Sequence, residues 1–462
     1  MQEVMKVTDQ RYRLGYHLMT KGGWMNDSNG FPWFKGYYHM FYQYYPYAAE
    51  WGPMHWGHAR SKDLVHWETL PVALAPDEHE DGCFSGSAVV YDDKLWLIYT
   101  GHHLTNPEDS EEFYQDQNIA WSEDGIHFTK YEGNPVLRAP ADNTKHFRNP
   151  KVWQEGDIFY MVLGSQGSDE LGRALLYESN DLKKWQLVSV LDKAMNLKDE
   201  GYMWECPDFF HLDGQDVLLM SPRGLEPQGD CFHNLNQTCY LLGQQDEENY
   251  LVRQEFTEID RGHDFYATQT MLAPDGRRIM TAWMNAWDSP MYEKEDGWAG
   301  ALTIPRELRI EKGRLYQKPV SELSSMRLHR VLDGGLVPES SISLPAASEI
   351  KLLFKDCGDF SGRLLKIGDG GQELSISLDA EGSRILVERT TKDGLRAAKI
   401  MPYKDLDLHI FVDRSSAEIF VNRGEITFTE RMYWQGKLEL SLGEKAVREA
   451  CIYALEKETN QY

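Results

Sequence analysis

One aromatic-rich strand pattern recurs five times in this chain, and a chain that repeats one small unit at a fixed interval is tightly limited in what it can build. The pattern reads GYYHMFYQ from Gly36, KLWLIYTG from Lys94, DIFYMVLG from Asp157, DVLLMSP from Asp216 and RRIMTAW from Arg277. Successive starts lie 58, 63, 59 and 61 residues apart. A second pattern follows three of them at a similar period: SKDLVHW (Ser61 to Trp67), SEDGIHF (Ser122 to Phe128) and SNDLKKW (Ser179 to Trp185). In each, Ser and Asp can close a turn by accepting backbone N–H groups, while the terminal aromatic packs into the neighbouring unit. Two patterns on one period argue against an array of sandwiches with accidental spacing. A unit of about 60 residues built from short strands cannot bury its faces alone, so the units must stack. The expectation is an all-β chain that opens with a five-bladed β-propeller over residues 1–310.

From Glu311 to about Ser340 the text changes to EKGRLYQKPVSELSSMRLHRVLDGG, a short helical stretch closed by Gly334, Gly335 and Pro338. Residues 311–340 therefore read as a linker. Over residues 341–462, alternating strands such as ELSISLD, SRILVERT and KLELSL suggest a C-terminal β-sandwich, poor in site chemistry.

Charge narrows the partners. The chain carries 48 basic and 73 acidic side chains, a net −25, which repels phosphate backbones and anionic lipid and argues against nucleic-acid or membrane partners. No apolar run approaches the roughly 20 residues that cross a bilayer. The opening MQEVMKVTDQRYRLGYH lacks a stretch for a signal peptidase, so the expected location is cytoplasmic. Cys83, Cys206, Cys231, Cys239, Cys357 and Cys451 form no CxxC pair and fit reduced thiols. Asn236-Gln237-Thr238 spells a glycosylation sequon that matters only in a secreted chain.

Propellers bind ligands where the blades converge, so site residues should recur at blade spacing. GGWMNDSNG sets Asp27 beside Asn26 and Trp24 in a Gly-bounded loop; HFRNPKVW sets Arg148 and Asn149 ahead of Pro150; MWECPDFF sets Glu205 beside Cys206. Two carboxylates in one aromatic-lined cleft suit glycosidic cleavage, one ionised to attack and one protonated to release the leaving oxygen. Asp27, beside an amide and backbone donors, is expected to be the ionised one. Glu205, among apolar neighbours, is expected to hold the raised pKa. Asp27 as an Asx-turn residue and Glu205 as the buried partner of an arginine stay open at this point. His102-His103 and the DEHED run from Asp77 to Asp81 lack zinc-site spacing and read as solvated loop. His55 and His58 read as packing residues. No metal or cofactor is expected.

At these residues the chain resembles glycoside hydrolase family 32, the β-fructofuranosidases, and within it the bacterial sucrose and sucrose-6-phosphate hydrolases. WMNDSNG is similar to the family's WMNDPNG, which implies Asp27 as nucleophile, and WECPDFF is similar to its EC block, which implies Glu205 as acid and base. FSGSA (Phe84 to Ala88), WGPMHWGHA (Trp51 to Ala59), GHDFYATQT and GWAGALTIPREL resemble further family blocks. They imply fructosyl contacts from Gln43, Trp51, Phe84, Ser85 and Trp298, alongside Asn26 and Arg148. The family fold is a five-bladed propeller followed by a β-sandwich.

One departure is serious. Where the family has Arg-Asp-Pro, this chain reads Arg148-Asn149-Pro150. The family's aspartate holds fructose hydroxyls and stabilises the transition state; an asparagine keeps one acceptor and loses the charge. The residue reads first as an engineered change of one heavy atom that slows turnover and traps a substrate, and second as a natural variant with changed specificity. Ser28 and Thr268 replace family prolines at a cost in loop rigidity only. The expected activity is a retaining β-fructofuranosidase on sucrose or short fructooligosaccharides. Its alternatives are a sucrose-6-phosphate hydrolase, a fructosyltransferase and a catalytically weak sugar-binding propeller. The net charge favours a neutral sugar partner.

Overall fold

The five repeats of the sequence are five second strands. In this computed structural model, which describes residues 3–246, 248, 251–253, 256–391, 394–400 and 404–455, the chain is all-β. Residues 23–319 fold into five successive sheets, and each recurring aromatic segment is the strand that follows its sheet's opening strand: Tyr37–Tyr45, Lys94–Leu104, Ile158–Gly167, Gln215–Arg223 and Arg278–Trp283. Both faces of such a strand are covered, which is why it reads as a continuous apolar run and not as strict alternation; Met40, Phe41 and Tyr42 are all buried in the first of them.

The Ser–Asp pattern is one turn used three times. Asp63 Oδ1 accepts the N–H groups of Val65 and His66 at 3.1 and 2.8 Å. Asp124 Oδ1 does the same for Ile126 and His127 at 2.8 and 2.9 Å, and Asp181 Oδ1 for Lys183 and Lys184, both at 2.9 Å. Trp67 and Trp185 then donate their indole N–H to the carbonyls of Leu64 and Leu182, three residues back, at 3.1 and 3.0 Å.

The opening strands of the sheets run Gly23–Ser28, Gly82–Tyr91, Asn143–Glu155, Met203–Leu212 and Tyr266–Leu272. The second packs on the third, the third on the fourth, the fourth on the fifth and the fifth on the first, so the residues they carry converge.

Two six-stranded sheets follow and enclose a core that includes Ile350, Phe354, Ile376, Val387, Ile410, Ile419 and Ile452. The 311–340 stretch is not the linker that the sequence suggested. Arg314–Pro319 is the last strand of the fifth sheet, and Arg327–Leu336 pairs with Val447–Leu455 at the edge of the sixth; only a 3-10 turn at Ser321–Met326 lies between. Gly334, at φ 144°, bends an edge strand here and does not end an element.

Candidate active site

All five opening strands break register at the same level. The irregularities fall between Met25 and Ser28, Phe84 and Gly86, Arg148 and Lys151, Glu205 and Asp208, and Tyr266 and Gln269. A bulge frees backbone groups from the ladder and re-aims a side chain, and those groups need other partners. The neighbouring strand supplies them. Asn149, at φ 66°, donates its N–H to Thr100 Oγ1 at 3.0 Å. Cys206, at φ 47°, donates to Asn149 Oδ1 at 3.3 Å, and Ala267, at φ 54°, to Ser221 Oγ at 3.2 Å. Three non-glycine residues are thereby held in left-handed conformations, at a cost of about 1–3 kcal/mol each that the surrounding bonds offset.

The side chains so aimed open onto one cavity of about 790 Å³. Asp27 and Glu205 both line it. Asn26 Nδ2 donates to Asp27 Oδ1 and Ser85 Oγ to Asp27 Oδ2, each at 2.9 Å, and the Cys206 thiol lies 3.8 Å from Oδ2. Trp24 fixes Asn26 in turn through its indole N–H, 2.6 Å from Oδ1. Glu205 Oε1 accepts from Arg148 Nε and Nη2 at 3.0 and 2.7 Å, with Arg223 Nη1 at 3.6 Å. The Tyr266 hydroxyl donates to Glu205 Oε2.

This geometry reverses the proton assignment that the sequence suggested. Burial, then the charge of Glu205, push the Asp27 carboxyl up, against the donations of Asn26 and Ser85. Burial also acts on Glu205, but Arg148, then Arg223, with the Tyr266 hydroxyl, hold it down to about 2. The neighbours of Glu205 in the sequence, Trp204 and Cys206, are themselves buried, and the Trp204 indole N–H donates to the carbonyl of Glu200 at 2.7 Å, away from the carboxylate. Two arginines from other strands surround the carboxylate instead. The surroundings thus favour the protonated form at Asp27 more than at Glu205.

Asn26, Gln43, Trp51, Phe84, Ser85, Arg148 and Asn149 all line the cavity. Trp298 does not. It is fully buried, its ring covered by the guanidinium groups of Arg13 at 4.8 Å and Arg431 at 5.8 Å. The indole that lines the cavity beside Trp51 is Trp287, which stacks on Trp24 at 5.8 Å. His102 also departs from its solvated-loop reading: it lies within the strand Lys94–Leu104, is buried, and stacks on Phe84 at 4.2 Å and 3°. His102, Phe113, His146 and Tyr202 continue one wall ring to ring, and Arg223 lies 5.8 Å over Tyr202. Tyr266, Arg223, Gln115 and His146 were not singled out from the sequence. His146 and Tyr266 sit inside the quoted segments HFRNPKVW and GHDFYATQT; Arg223 and Gln115 carry no local signal. In the folded chain the sequon residues Asn236, Gln237 and Thr238 are all buried, and Asn236 lines the cavity. Among the described residues, no group of three metal-capable side chains gathers.

The family model described as glycosyl hydrolases family 32 N-terminal domain matches residues 17–319, and that described as glycosyl hydrolases family 32 C terminal matches residues 317–449. The chain belongs to glycoside hydrolase family 32. Among family relatives, it is 42% identical to a sucrose-6-phosphate hydrolase of Zymomonas mobilis, over 88% of this chain and 83% of that one. It is 42% identical to a raffinose invertase of Escherichia coli, over 91% and 89%. The solved family 32 β-fructofuranosidase of Bombyx mori superposes with a TM-score of 0.91 at 40% identity, covering 97% of this chain and 95% of that one. A variant of that enzyme solved in complex with sucrose matches equally well.

Proposed function

We propose that this family 32 chain is a retaining β-fructofuranosidase that hydrolyses sucrose and releases fructose. The observation that carries the reading is the pairing of Asp27 and Glu205 in one cavity. Asp27 attacks the fructosyl anomeric carbon and Glu205 gives its proton to the departing glucosyl oxygen; Glu205 then takes a proton from the water that frees fructose. The productive singly protonated form carries the proton on Glu205, against the bias of the surroundings. Asn149, buried beside the nucleophile's thiol neighbour, bonds fructose hydroxyls through its free amide N–H groups.

Supporting a neutral substrate, the cavity's two cations, Arg148 and Arg223, both face Glu205, while Asp81 and Glu111 add negative charge. The five sheets through Pro319 are read as propeller blades, and the two sheets from Arg327 onward as a β-sandwich. All six cysteines are unpaired, which fits a cytoplasmic chain; no helix among the described residues is long and apolar enough to cross a membrane. A catalytically weak sugar binder is the second reading, favoured by the uncharged Asn149.

Fructose release from sucrose, measured for the natural chain, decides between them. Turnover that Asp27→Ala and Glu205→Gln each remove supports the enzyme. Sugar binding without fructose release would leave the weak binder.

A further inference from the structure

The Arg148 guanidinium has more partners than Glu205. Its Nη1 lies 2.9 Å from His146 Nδ1 and 3.3 Å from Gln115 Oε1, on the side opposite the carboxylate. Gln115 Oε1 is pinned by the backbone N–H of Phe147 at 3.1 Å, and its amide nitrogen lies 3.4 Å from His102 Nδ1. The His146 ring is gripped between Phe113, at 5.6 Å and 70°, and Tyr202, at 6.1 Å and 56°. A guanidinium is a planar fork of donors with no acceptor, so fixing one amino group fixes the direction of the other two.

We propose that His146, together with Gln115, is a positioning residue: by accepting from Nη1 of Arg148, the two aim Nε and Nη2 at Glu205 Oε1. Accepting from an arginine requires a neutral imidazole with a lone pair on Nδ1. The surroundings enforce it. Burial, then Arg148, then Lys145 and Arg223, outweigh the opposing charge of Glu205 and lower His146 to about 3. His102, beyond Gln115, is lowered to about 4 by burial and then Arg148. Both rings are thus held toward the neutral form, and His146 serves as an acceptor and not as a proton carrier. The groups facing Glu205 are then Arg148, Arg223, Tyr266, Asp27 and Cys206. Of these, Arg148 is the one whose direction His146 sets.

The role separates from packing by two substitutions. His146→Phe keeps a ring between Phe113 and Tyr202 and removes the acceptor. His146→Asn keeps an acceptor near the Nδ1 position and removes most of the ring. The first readout is the carboxyl 13C signal of Glu205, assigned by its loss in Glu205→Gln and followed against pH. In His146→Phe its midpoint is expected to rise by about one pH unit, because a loosened arginine stabilises the carboxylate less. In His146→Asn it is expected to stay near that of the natural chain. An unmoved midpoint in His146→Phe overturns the proposal, and so does an equal rise in both variants. Should His146→Phe not fold, Gln115→Leu removes the other acceptor of the same Nη1 and carries the same expectation.

A second readout rests on the proposed hydrolysis. The acid limb of kcat/KM should move toward neutral pH in His146→Phe and not in His146→Asn. A chain that released no fructose would sink the functional reading, while the carbon signal still decided the role of His146.

Discussion

Asn149 Oδ1 accepts the backbone N–H of Cys206, the residue after Glu205, at 3.3 Å. The third and fourth sheets are thus joined at the bulges that carry Arg148 and Glu205, and the joint uses the oxygen of the asparagine, not its amide nitrogen. A carboxylate at position 149 can keep that bond and add a charge. Asn149→Asp is therefore expected to raise kcat by roughly 10²–10³, the magnitude of one preorganised electrostatic partner in a transition state. KM should change far less, since a neutral amide already bonds hydroxyls in the ground state. Steady-state kinetics on sucrose check this. An unchanged or lower kcat would make the asparagine an adaptation to another substrate.

Glu205→Gln removes the proton donor and should lower kcat by about 10²–10⁴ with the fold intact. Asp27→Ala should lower it further, because it removes the carboxylate on which the covalent intermediate is proposed to form. Azide restoring a glycosyl azide product in either variant would identify which face of the sugar each residue serves.

The raised Asp27 carboxyl has a consequence for stability. A carboxyl whose folded pKa lies above its unfolded value disfavours folding wherever it must ionise, so Asp27→Asn should raise Tm at pH 7. The gain should shrink as pH falls and the natural Asp27 takes up its proton. Glu205 has the opposite sign: its contribution is present above an unfolded value of about 4.3 and is lost as pH falls toward about 2. Thermal melts of Asp27→Asn and the natural chain from pH 4 to pH 8 measure the difference.

Sucrose should be preferred to sucrose 6-phosphate in kcat/KM by at least about tenfold, equivalent to about 1.4 kcal/mol. The phosphate would meet Asp81 and Glu111, while Arg148 and Arg223 are engaged by Glu205. Glu111→Lys should narrow the ratio, since Glu111 is exposed and makes no contact with either catalytic carboxyl. Equal or better use of the phosphorylated sugar would overturn this preference.

Two tryptophans should fail differently. Trp298→Ala opens a void in a fully buried site and should cost about 3–5 kcal/mol of stability with KM little changed. Trp51 is 47% exposed and lines the cavity, so Trp51→Ala should raise KM and leave the denaturation midpoint nearly in place.

The sequence made legible what depends on neighbours along the chain. The repeated second strands show because both their faces are covered, and Asp27 shows because glycines and an aromatic bracket it. The proton affinities are not legible from Trp204 and Cys206, because the charge of Glu205 is governed by Arg148 and Arg223, which arrive from other strands 57 and 18 positions away. Trp298 was misplaced for a related reason. An aromatic in a site-like segment looks the same whether it faces a cavity or, as here, two buried arginines. The 311–340 stretch lacks alternation because its edge strand exposes one side and is bent at Gly334, so pairing with Val447–Leu455 left no periodic trace.

The boundary between the five-sheet and two-sheet units is built from charge. Arg306 Nη1 binds Asp260 at 3.0 Å and its Nη2 binds Glu418 at 2.5 Å; His17 lies between Asp413, at 2.9 Å, and the same Glu418, at 3.0 Å. Arg431 meets Glu293 at 3.1 Å and Arg389 meets Asp264, all with side chains at most 1% exposed. Breaking a buried ion pair by removing one partner typically costs about 3–5 kcal/mol. The C-terminal sheets are therefore no detachable appendage: they supply the counter-ions that let the unit bearing Asp27 and Glu205 close. A chimera that exchanges this half for another must transplant Asp413, Glu418, Arg389 and Arg431 with it, or the donor half will arrive with the wrong lock.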